Sequence, residues 1–524
     1  MAKRSKEVIL EQAQVKKKDL LLVLAFFVLA YFLRVWFLPQ KALTFGYDQA
    51  RDAYVSQQIL NGDLKILGPP ASTPGLFHGV FYYYLLAPAY LVGGGSPIVV
   101  AYWIALFNAA TVFIVFYLTY LLTKKKGAAF LAAFLFAISF EATQYATWLS
   151  NPTIGVWTVP LMYLGLWAWV SEKKSWGPIV AALGLGLSIQ ANIFLLYHAF
   201  PLAIWFLVAR KKVTRRQLLK FAIVLTLSLS SMLLAEIKFG FRSLSGISQL
   251  AITQTPSLAY ADSLGDYLTL YLDQIGRIFA FNSYPGNIGY GGAFVIALAV
   301  LGLFQLGKTK RGRQKIFWGP FLATWLFSHI TVVTLGGAST PFLMVGIGPA
   351  VSIIMAIFLH KWWRMKLQAV VGIILAVLIF GNLSMIFREN PQGSTLFAIQ
   401  KDMVLAKQLA AIDYTYEEAD GKPFSINSLT SPLWINIVWT YLYEWSGQGK
   451  YGYLPSWHGR DQVGQLASLA DVEEDTESYF LILEPMGGIP IRYLDETIAE
   501  EGTRSKLLDE KYFGELRIQK RQKL

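Results

Sequence analysis

The chain has 524 residues, of which 55% are hydrophobic and 15% are charged, and it contains no cysteine. Soluble proteins carry about 25% charged residues and disordered chains carry few apolar ones, so the composition excludes both classes. The missing cysteine excludes disulfides, cysteine-ligated zinc, iron–sulfur clusters and a thiol nucleophile. The composition therefore predicts an integral membrane protein.

The net charge of +13 combines two parts of opposite sign. Residues 1–387 carry a balance of +20, whereas residues 388–524 carry a balance of −7. The basic part is also the apolar part, where positive charge orients membrane helices. We find no basic stripe of the kind that a folded surface presents to nucleic acid, so a nucleic-acid partner is not expected.

About eleven apolar stretches approach the roughly 20 residues that a helix needs to cross the hydrocarbon. The first stretch follows Lys16–Lys18 and is too long for a secretory signal, so we interpret it as an uncleaved span. The predicted spans are Leu20–Pro39, Ile98–Leu122, Ala128–Thr147, Ile154–Val170, Gly177–Ile189, Tyr197–Ala209, Leu218–Ala235, Gly291–Leu306, Phe317–Leu335, Phe342–Leu359 and Ala369–Phe387.

Loop charges predict the orientation of these spans. Segments on one side, which include the Lys308–Lys315 cluster, hold 24 basic residues, and the loops on the other side hold six. The positive-inside rule then places the N-terminus in the cytoplasm and the acidic tail outside, with the chain in the plasma membrane.

The predicted fold class is an α-helical polytopic membrane protein with a small extracytoplasmic α/β domain. Its membrane domain covers residues 1–387, with long outside loops at 40–97 and 236–290, and its soluble domain covers residues 388–524. In the first loop, Ala50–Leu60 is predicted to be a surface helix and Phe81–Val92 an interfacial one. In the tail we predict strands at Pro423–Leu429, Tyr479–Glu484 and Glu515–Gln519, and helices at Ser394–Asp413, Leu433–Trp445 and Asp461–Leu469.

The first outside loop carries the segment Tyr47-Asp48-Gln49-Ala50-Arg51-Asp52. If Asp48 begins a helix, its carboxylate caps backbone N–H groups, and Arg51 and Asp52 follow on the same face. This spacing suits an N-cap with a surface ion pair. It also suits a carboxylate that Arg51 holds in place to accept a proton from a hydroxyl or amine. Asp48, Arg51 and Asp52 are therefore the candidate catalytic residues.

Further polar residues near the predicted outside face are candidates for substrate binding. Glu141 lies in the outer third of the third span, where a carboxylate is costly and usually faces a polar cavity or partner. His78 lies where the first loop returns to the membrane, and Tyr82 and Tyr83 form either an interfacial belt or a surface for stacking on a sugar. The remaining candidates are Asn151, Gln190, Asn192, Glu236, Lys238 and Arg242. The basic residues among them, Lys238 and Arg242, suit the binding of a phosphate, or they simply extend their charged ends to the membrane surface.

With these motifs in this order, the chain resembles the GT-C glycosyltransferases, polytopic enzymes that use polyprenyl-phosphate-linked sugars. It is most similar to the branch that contains protein O-mannosyltransferases, aminoarabinose transferases and RgtA-like bacterial proteins. The resemblance rests on the Tyr47–Asp52 segment, on His78-Gly79-Val80-Phe81-Tyr82-Tyr83, and on the helix end at Trp148–Pro152.

The resemblance implies that Asp48 is the base that deprotonates the acceptor, which attacks the anomeric carbon and expels a lipid phosphate with inversion. Arg51 or Asp52 would position Asp48 or the acceptor. His78 matches a position near the donor, although Gly79 and Val80 replace the prolines of relatives. The implied partners are a polyprenyl-phosphate-linked sugar donor, a glycan, lipid or protein acceptor, and membrane lipids.

The resemblance also bears on cofactors. Oligosaccharyltransferase relatives carry further acidic metal ligands near the outer end of the third span, where this chain has Asn151. Hard cations favour carboxylates over amides. We therefore expect no cofactor, and a divalent metal is not favoured.

Three alternatives stay open. A secondary transporter would explain the many spans and Glu141, but it predicts internal repeats and helices broken near the midplane, and the sequence indicates neither. A polysaccharide polymerase or ligase would also act on lipid-linked sugars, but the first-loop motif fits it less well. A binding or scaffold protein remains if Asp48 only caps a helix.

Overall fold

The computed structural model describes residues 17–71, 75–210, 213–241, 263–284, 318–336, 341–460, 469–471, 476 and 478–524. The predicted span Gly291–Leu306, the Lys308–Lys315 cluster, nearly all of the predicted helix Asp461–Leu469, and the candidate Arg242 lie outside these residues.

Helices make up most of the described chain. Up to residue 238 they are α1 (Lys17–Val35), α2 (Tyr47–Leu60), α3 (Phe81–Val92), α4 (Pro97–Thr123), α5 (Lys126–Ala137), α6 (Phe140–Thr147), α7 (Gly155–Val170), α8 (Gly177–Ala191), α9 (Ala199–Ala209), α10 (Arg215–Ser228) and α11 (Ser230–Lys238). Beyond it they are α12 (Leu264–Asn282), α13 (Trp318–Leu326), α14 (His329–Gly336), α15 (Gly348–Arg364), α16 (Gln368–Glu389) and α17 (Leu405–Ala419).

Within the described residues, α1, α4, α7 and α16 lie in segments long and apolar enough to cross a membrane. The number of such spans rises to six if each of two bent helix pairs counts as one. The protein is therefore an integral membrane protein by the length and composition of its helices. The count of about eleven spans stays a prediction.

The predicted span Ala128–Thr147 is not one straight helix, because α5 and α6 meet at a bend of 50°. A buried arginine satisfies the backbone at the break: Arg34 Nη1 donates to Ala137 O over 3.0 Å, and its Nε donates to Asn108 Oδ1 over 2.7 Å. Ser139 then caps α6 by accepting from Ala142 N. A second bend, of 58°, separates α10 from α11. The expectation that no helix is broken was therefore wrong.

The second predicted outside loop contains a helix that the sequence analysis missed. Helix α12 is amphipathic, and only its last two turns are buried, including Gln274, Ile278 and Asn282. Because one face of the helix is polar, its mean hydropathy is too low for it to be predicted as a membrane span.

The C-terminal residues form a five-stranded sheet in the described part of the chain. Its strands are β1 (Ser425–Leu429), β2 (Ser456–Trp457), β3 (Ser478–Leu483), β4 (Ser505–Phe513) and β5 (Leu516–Lys523), in the order β2-β1-β3-β5-β4. Strands β1, β2 and β3 are parallel, and β5 pairs antiparallel with β3 and β4. The other C-terminal helices are α18 (Ile437–Leu442), α19 (Gln448–Tyr451) and α20 (Ile491–Arg504), with a π-helical turn at Tyr443–Gly447.

The three predicted tail strands are confirmed, whereas β4 and α20 were missed. The predicted helix Ser394–Asp413 was wrong in its first half, because α17 begins at Leu405. Side chains from elsewhere bind the backbone of that half: Leu396 N donates to Gln144 Oε1, and Thr395 N donates to Thr44 Oγ1. The predicted helix Leu433–Trp445 likewise begins only at Ile437.

The C-terminal residues pack directly on the segment that leads into α2. Phe45 N donates to Met403 O, and Leu405 N donates to Leu43 O. Gln408 Nε2 donates to Phe45 O over 2.7 Å. We call this end of the bundle, defined by α2 and the sheet, the Asp48 face.

The short loops at the other end of the bundle carry basic residues. Lys126 pairs with Asp19 and Lys124 pairs with Glu172, so the α1 start, the α4–α5 turn and the α7–α8 turn lie together. The basic loops and the Asp48 face are therefore at opposite ends of the helices.

A buried carboxyl group joins the sheet to the chain that precedes α17. Glu484 follows β3, is 2% exposed, and accepts hydrogen bonds from Ser431 N, Trp439 Nε1 and Gln400 Nε2. Burial raises the pKa of Glu484 to about 7, although these three hydrogen bonds oppose the shift. The folded protein therefore holds a proton at Glu484 that the unfolded chain releases near pH 4.5.

This proton makes stability pH-dependent. Between pH 4.5 and 7 the folded state binds more protons than the unfolded state, so stability should fall as the pH rises through this window, by about 3 kcal/mol from Glu484. Melting temperatures of purified protein from pH 5 to 7.5 should show the decline, and Glu484→Gln should make it shallower. Glu496→Gln, on the exposed part of α20, should keep the wild-type slope. A wild-type slope in Glu484→Gln would contradict the assignment.

Candidate functional site

Helix α2 carries the Asp48 motif and begins earlier than predicted. Its N-cap is Gly46, whose N–H donates to the side-chain Oε1 of Gln49 over 2.9 Å. Gln49 Nε2 also donates to Leu149 O over 3.1 Å, which fixes the helix start to the bundle. Asp48 is therefore not the cap. It lies in the first turn, where the helix dipole favours a negative charge.

Arg51 bridges two carboxylates. Its Nη1 donates to Asp48 Oδ1 over 2.7 Å, while Nε and Nη2 both donate to Asp52 Oδ1 over 2.8 and 2.7 Å. The side chains of Arg51 and Asp52 are 7% and 0% exposed, whereas that of Asp48 is 49% exposed. The interpretation as a surface ion pair thus describes only Asp48, because the rest of the cluster is buried.

The two carboxylates have different environments. Burial raises the pKa of Asp52 to about 7, against the charge of Arg51, which lowers it. Asp52 Oδ2 is buried without a hydrogen-bond partner among the described residues. Asp48 is half in water, and in the described part of the chain no hydrogen bond reaches its Oδ2. The arrangement gives one accessible carboxylate whose orientation is set by a buried pair.

Helix α3 packs against this cluster. Ser56 Oγ donates to Asp52 O and to Tyr83 O, which ties α2 to α3. Tyr82 is fully buried, and its hydroxyl has no partner among the residues that the structure describes. Tyr82 and Tyr83 therefore lie beside Asp52 rather than in an exposed aromatic belt.

His78 is a buried, neutral imidazole. Its Nδ1 accepts the N–H of Ile193 over 3.1 Å, so the ring proton is assigned to Nε2. Burial, and after it the nearby charge of Arg51, lower the pKa of His78 to about 4. The side chain can therefore donate one hydrogen bond at neutral pH without carrying charge.

Gln190 connects the His78 loop to two helices. Gly79 N donates to Gln190 O over 2.9 Å, and Phe81 N donates to Gln190 Oε1 over 3.3 Å. A Cβ at position 79 would overlap Gln190, which explains why the chain has glycine here. Gln190 Nε2 in turn donates to Ser228 O and Ser231 Oγ, each over 2.8 Å.

An open cleft of about 430 Å³ begins at Gln190. Most of its lining is apolar, and its polar residues are Gln190 and two serines. The lining residues are Val80, Phe81, Tyr84, Leu183, Leu187, Gln190, Val224, Leu227, Ser228 and Ser231. The cleft thus lies between α3, α8 and α10, directly after His78 and Gly79.

Asn151 and Asn192 lie together at the ends of neighbouring helices. Asn151 Nδ2 donates to Ala191 O, and Asn192 Oδ1 accepts from Phe194 N. Asn192 Nδ2 is buried without a partner in the described part of the chain. Asn192 also precedes Ile193, which binds His78, so both asparagines border the His78 side of the site.

Glu141 lies apart from this cluster. Its Oε2 accepts from Asn282 Nδ2 over 2.7 Å, and Asn282 Oδ1 accepts from Ser139 Oγ. The cavity beside it has only about 10 Å³ of free volume, which holds at most one water. The structure therefore places Glu141 in a network that joins α6 to α12, and not beside Asp48.

Glu236 and Lys238 lie on α11, which continues from the cleft helix α10. Lys238 is exposed, and its Nζ is 5.4 Å from the ring of Phe239. No described contact joins either residue to Asp48. Arg242 lies outside the described residues. In the part of the chain that the structure describes, His, Asp and Glu side chains form no cluster of three or more that could hold a metal.

Sequence reasoning missed the contribution of the C-terminal residues to the site. Tyr54 on α2 donates its hydroxyl proton to Glu444 Oε2, and the Tyr54 and Tyr441 rings are 5.2 Å apart. Tyr441 also lies 5.5 Å from Phe45, just before α2. Glu444 belongs to the π-helical turn, and burial raises its pKa. Tyr54 and Glu444 are 390 positions apart in the chain, so no local sequence pattern predicts their contact.

Comparison with solved structures identifies the fold. The chain is similar to ArnT from Cupriavidus metallidurans bound to undecaprenyl phosphate, with a TM-score of 0.61, 10% identity and coverage of 97% of this chain and 98% of that one. The apo state of the same ArnT gives a TM-score of 0.58, 10% identity and coverage of 96% and 97%. The archaeal oligosaccharyltransferase AglB from Archaeoglobus fulgidus matches less well, with a TM-score of 0.47, 13% identity and coverage of 84% and 64%.

No protein-family model matches the chain, and no curated protein matches it. The chain nevertheless shares the ArnT fold over nearly its whole length. The resemblance to GT-C glycosyltransferases is thus confirmed at the level of fold. At 10% identity the likeness assigns no residue role.

The Arg51 bridge leads to a test by substitution. In Arg51→Lys, the ammonium cannot supply the guanidinium fork to both carboxylates. The buried Asp52 then loses its partner, and the free energy of unfolding should fall by about 3 kcal/mol. Thermal or denaturant unfolding of the purified variant measures the change. Arg388→Lys alters an exposed pair with Glu389 and should cost less than about 0.5 kcal/mol. Equal stability of the two variants would contradict the bridge.

Proposed function

We propose that this protein is a membrane glycosyltransferase that moves a sugar from a polyprenyl-phosphate-linked donor to an acceptor at the Asp48 face. The observation that carries the proposal is the accessible Asp48 carboxylate, held by a buried Arg51–Asp52 pair in a chain with the ArnT fold. One of the two ArnT structures was solved with undecaprenyl phosphate bound. A phosphate-linked lipid is accordingly the donor class that the fold suggests.

In the proposed reaction, Asp48 accepts the proton of an acceptor hydroxyl or amine. The oxygen or nitrogen then bonds to the anomeric carbon, and the bond from that carbon to the phosphate oxygen breaks. The electron pair leaves with the polyprenyl phosphate, and the configuration inverts. Arg51 positions Asp48, and Asp52 positions Arg51, so neither transfers a proton itself.

The donor would lie with its lipid chain in the cleft between α3, α8 and α10. The cleft is open and mostly apolar, and Gln190, beside the His78 loop, is one of its lining residues. The neutral His78 can donate one hydrogen bond to a phosphate oxygen from Nε2. Lys238 and Glu236, on the helix that continues from the cleft, and Arg242 remain proposed contacts for the head group, and Asn151, Asn192, Tyr82 and Tyr83 would border the sugar.

The proposal keeps the predicted topology. Residues 1–387 form the membrane domain and residues 388–524 a soluble α/β domain outside the plasma membrane, with the N-terminus in the cytoplasm. Support comes from the basic loops at the end of the bundle opposite the Asp48 face. The acceptor would be a glycan, lipid or protein, and the chemistry would need no metal.

The direct test is Asp48→Asn, which preserves size but cannot accept the proton. We expect turnover to fall by about 10²–10⁴-fold, measured as release of polyprenyl phosphate from lipid-linked sugars by purified protein. Asp63→Asn, in the same loop and paired with Lys65 at the surface, is the matched control and should keep wild-type turnover. EDTA should leave wild-type turnover unchanged. Full activity in Asp48→Asn would remove the base from the mechanism.

The cleft is tested by filling it. Leu187→Trp adds a bulky side chain to its apolar wall, so the KM for a long-chain lipid-linked donor should rise about tenfold, equivalent to 1.4 kcal/mol. Turnover of a short-chain donor should change little. Leu207→Trp, at an exposed position on α9, is the control. Equal KM values for the long-chain donor in both variants would place the lipid elsewhere.

Two bent helix pairs favour a second candidate, a secondary transporter, because transporters use broken helices at the substrate site. Sealed vesicles separate the two functions. A transporter would accumulate solute without releasing polyprenyl phosphate, and a glycosyltransferase would do the reverse.

A further inference from the structure

We propose that an apolar surface at the carboxyl end of the C-terminal sheet lies in the membrane interface on the Asp48 side. We call it the Ile399 patch, and it consists of Leu396, Ile399, Trp434, Ile491 and Tyr493. The three aliphatic side chains are 42%, 77% and 63% exposed, and the two aromatic ones are half-buried. This inference does not depend on the proposed enzyme activity.

Three separate segments bring the patch together. Trp434 follows β1 and Tyr493 follows β3, and their rings are 5.7 Å apart and nearly perpendicular. Ile399 packs beside Gly488, which lies between β3 and Ile491. Because β1 and β3 are parallel, their following loops share one end of the sheet. The patch is therefore a single surface and not a set of scattered side chains.

The patch continues from the membrane-spanning part of the chain. Helix α16 ends at Glu389, and the exposed Phe387 lies in its last turn. Two residues before Ile399, Phe397 stacks on Tyr145 at 4.2 Å and contacts Trp148 at 5.1 Å with tilted rings, at the end of the bent helix pair α5–α6. A segment of two residues reaches only about 7 Å, so Ile399 lies close to the level where the helices leave the bilayer.

The rim of the patch has the chemistry of a lipid head-group contact. Arg492 donates to the hydroxyl of Tyr493 over 2.9 Å, and Arg460, which is ion-paired with Glu500, lies 5.7 Å from the ring of Trp434. Both arginines are exposed. Tryptophan and tyrosine concentrate where hydrocarbon meets head groups, and arginine near them attracts anionic lipids. An apolar centre with an aromatic and cationic rim therefore fits a lipid surface.

One other exposed apolar residue of the sheet, Leu507, has different surroundings. Leu507 on β4 is 44% exposed and follows the charged Lys506. In the sheet, Leu507 lies opposite Arg521 of β5, and Arg521 lies opposite Tyr479 near the start of β3. Leu507 thus lies at the amino end of the sheet, opposite the Ile399 patch, and we expect it to face water.

The absence of cysteine from the chain allows a direct test. Ile399→Cys and Ile491→Cys each give a single site for a nitroxide label, and Leu507→Cys gives the matched control. The full-length labelled proteins are reconstituted in bilayers of phosphatidylethanolamine and phosphatidylglycerol. Oxygen concentrates in hydrocarbon and a nickel chelate stays in water, so the ratio of their collision rates with the label reports depth. We expect this ratio to be at least about threefold higher at positions 399 and 491 than at position 507.

Two outcomes would overturn the proposal. If positions 399 and 491 give the same ratio as position 507, the patch faces water. If the labels at 399 and 491 are shielded from both oxygen and the nickel chelate, protein covers the patch, as in contact with a second copy of the chain. All three positions are exposed, so the substitutions should not disturb folding, which the melting temperatures of the labelled proteins check.

Discussion

The site depends on one guanidinium that serves two carboxylates at different depths. Arg51 is itself buried, so its charge is paired with Asp52 inside the protein and with Asp48 at the surface. Arginine keeps its charge under any physiological condition, which makes the bridge a permanent support. Asp48 can thus be accessible and still hold one orientation, which is what proton abstraction from a bound acceptor requires.

The C-terminal residues complete this support from the opposite side of α2. Phe45, just before the helix, is held by Gln408 and Met403, and Tyr54 within it binds Glu444. The helix that carries Asp48 is therefore fixed between the membrane bundle and the tail. The tail acts as part of the scaffold of the site, whatever role it has toward an acceptor.

Hydropathy and residue spacing were sufficient to predict most of the described apolar helices, the helix Phe81–Val92 and three strands of the tail, because burial in those elements is regular. The start of α2 was misplaced, because Gly46 and Gln49 cap the helix through a contact that composition does not indicate. Glu141 lies on α6, beyond the break in the predicted span, and its partner Asn282 lies on a helix that hydropathy did not reveal. The Tyr54–Glu444 bond needs the tertiary fold itself.

The buried Arg34 has a consequence for biosynthesis. Its acceptors include Asn108 and the carbonyl of Ala137, which follows it by 103 positions in the chain. When α1 leaves the ribosome, these acceptors have not yet been made, and an unpaired arginine is expensive inside a bilayer. Of its described acceptors, Ala30 O alone lies in the same helix, so Arg34 gains the others when α4 and α5 pack against α1.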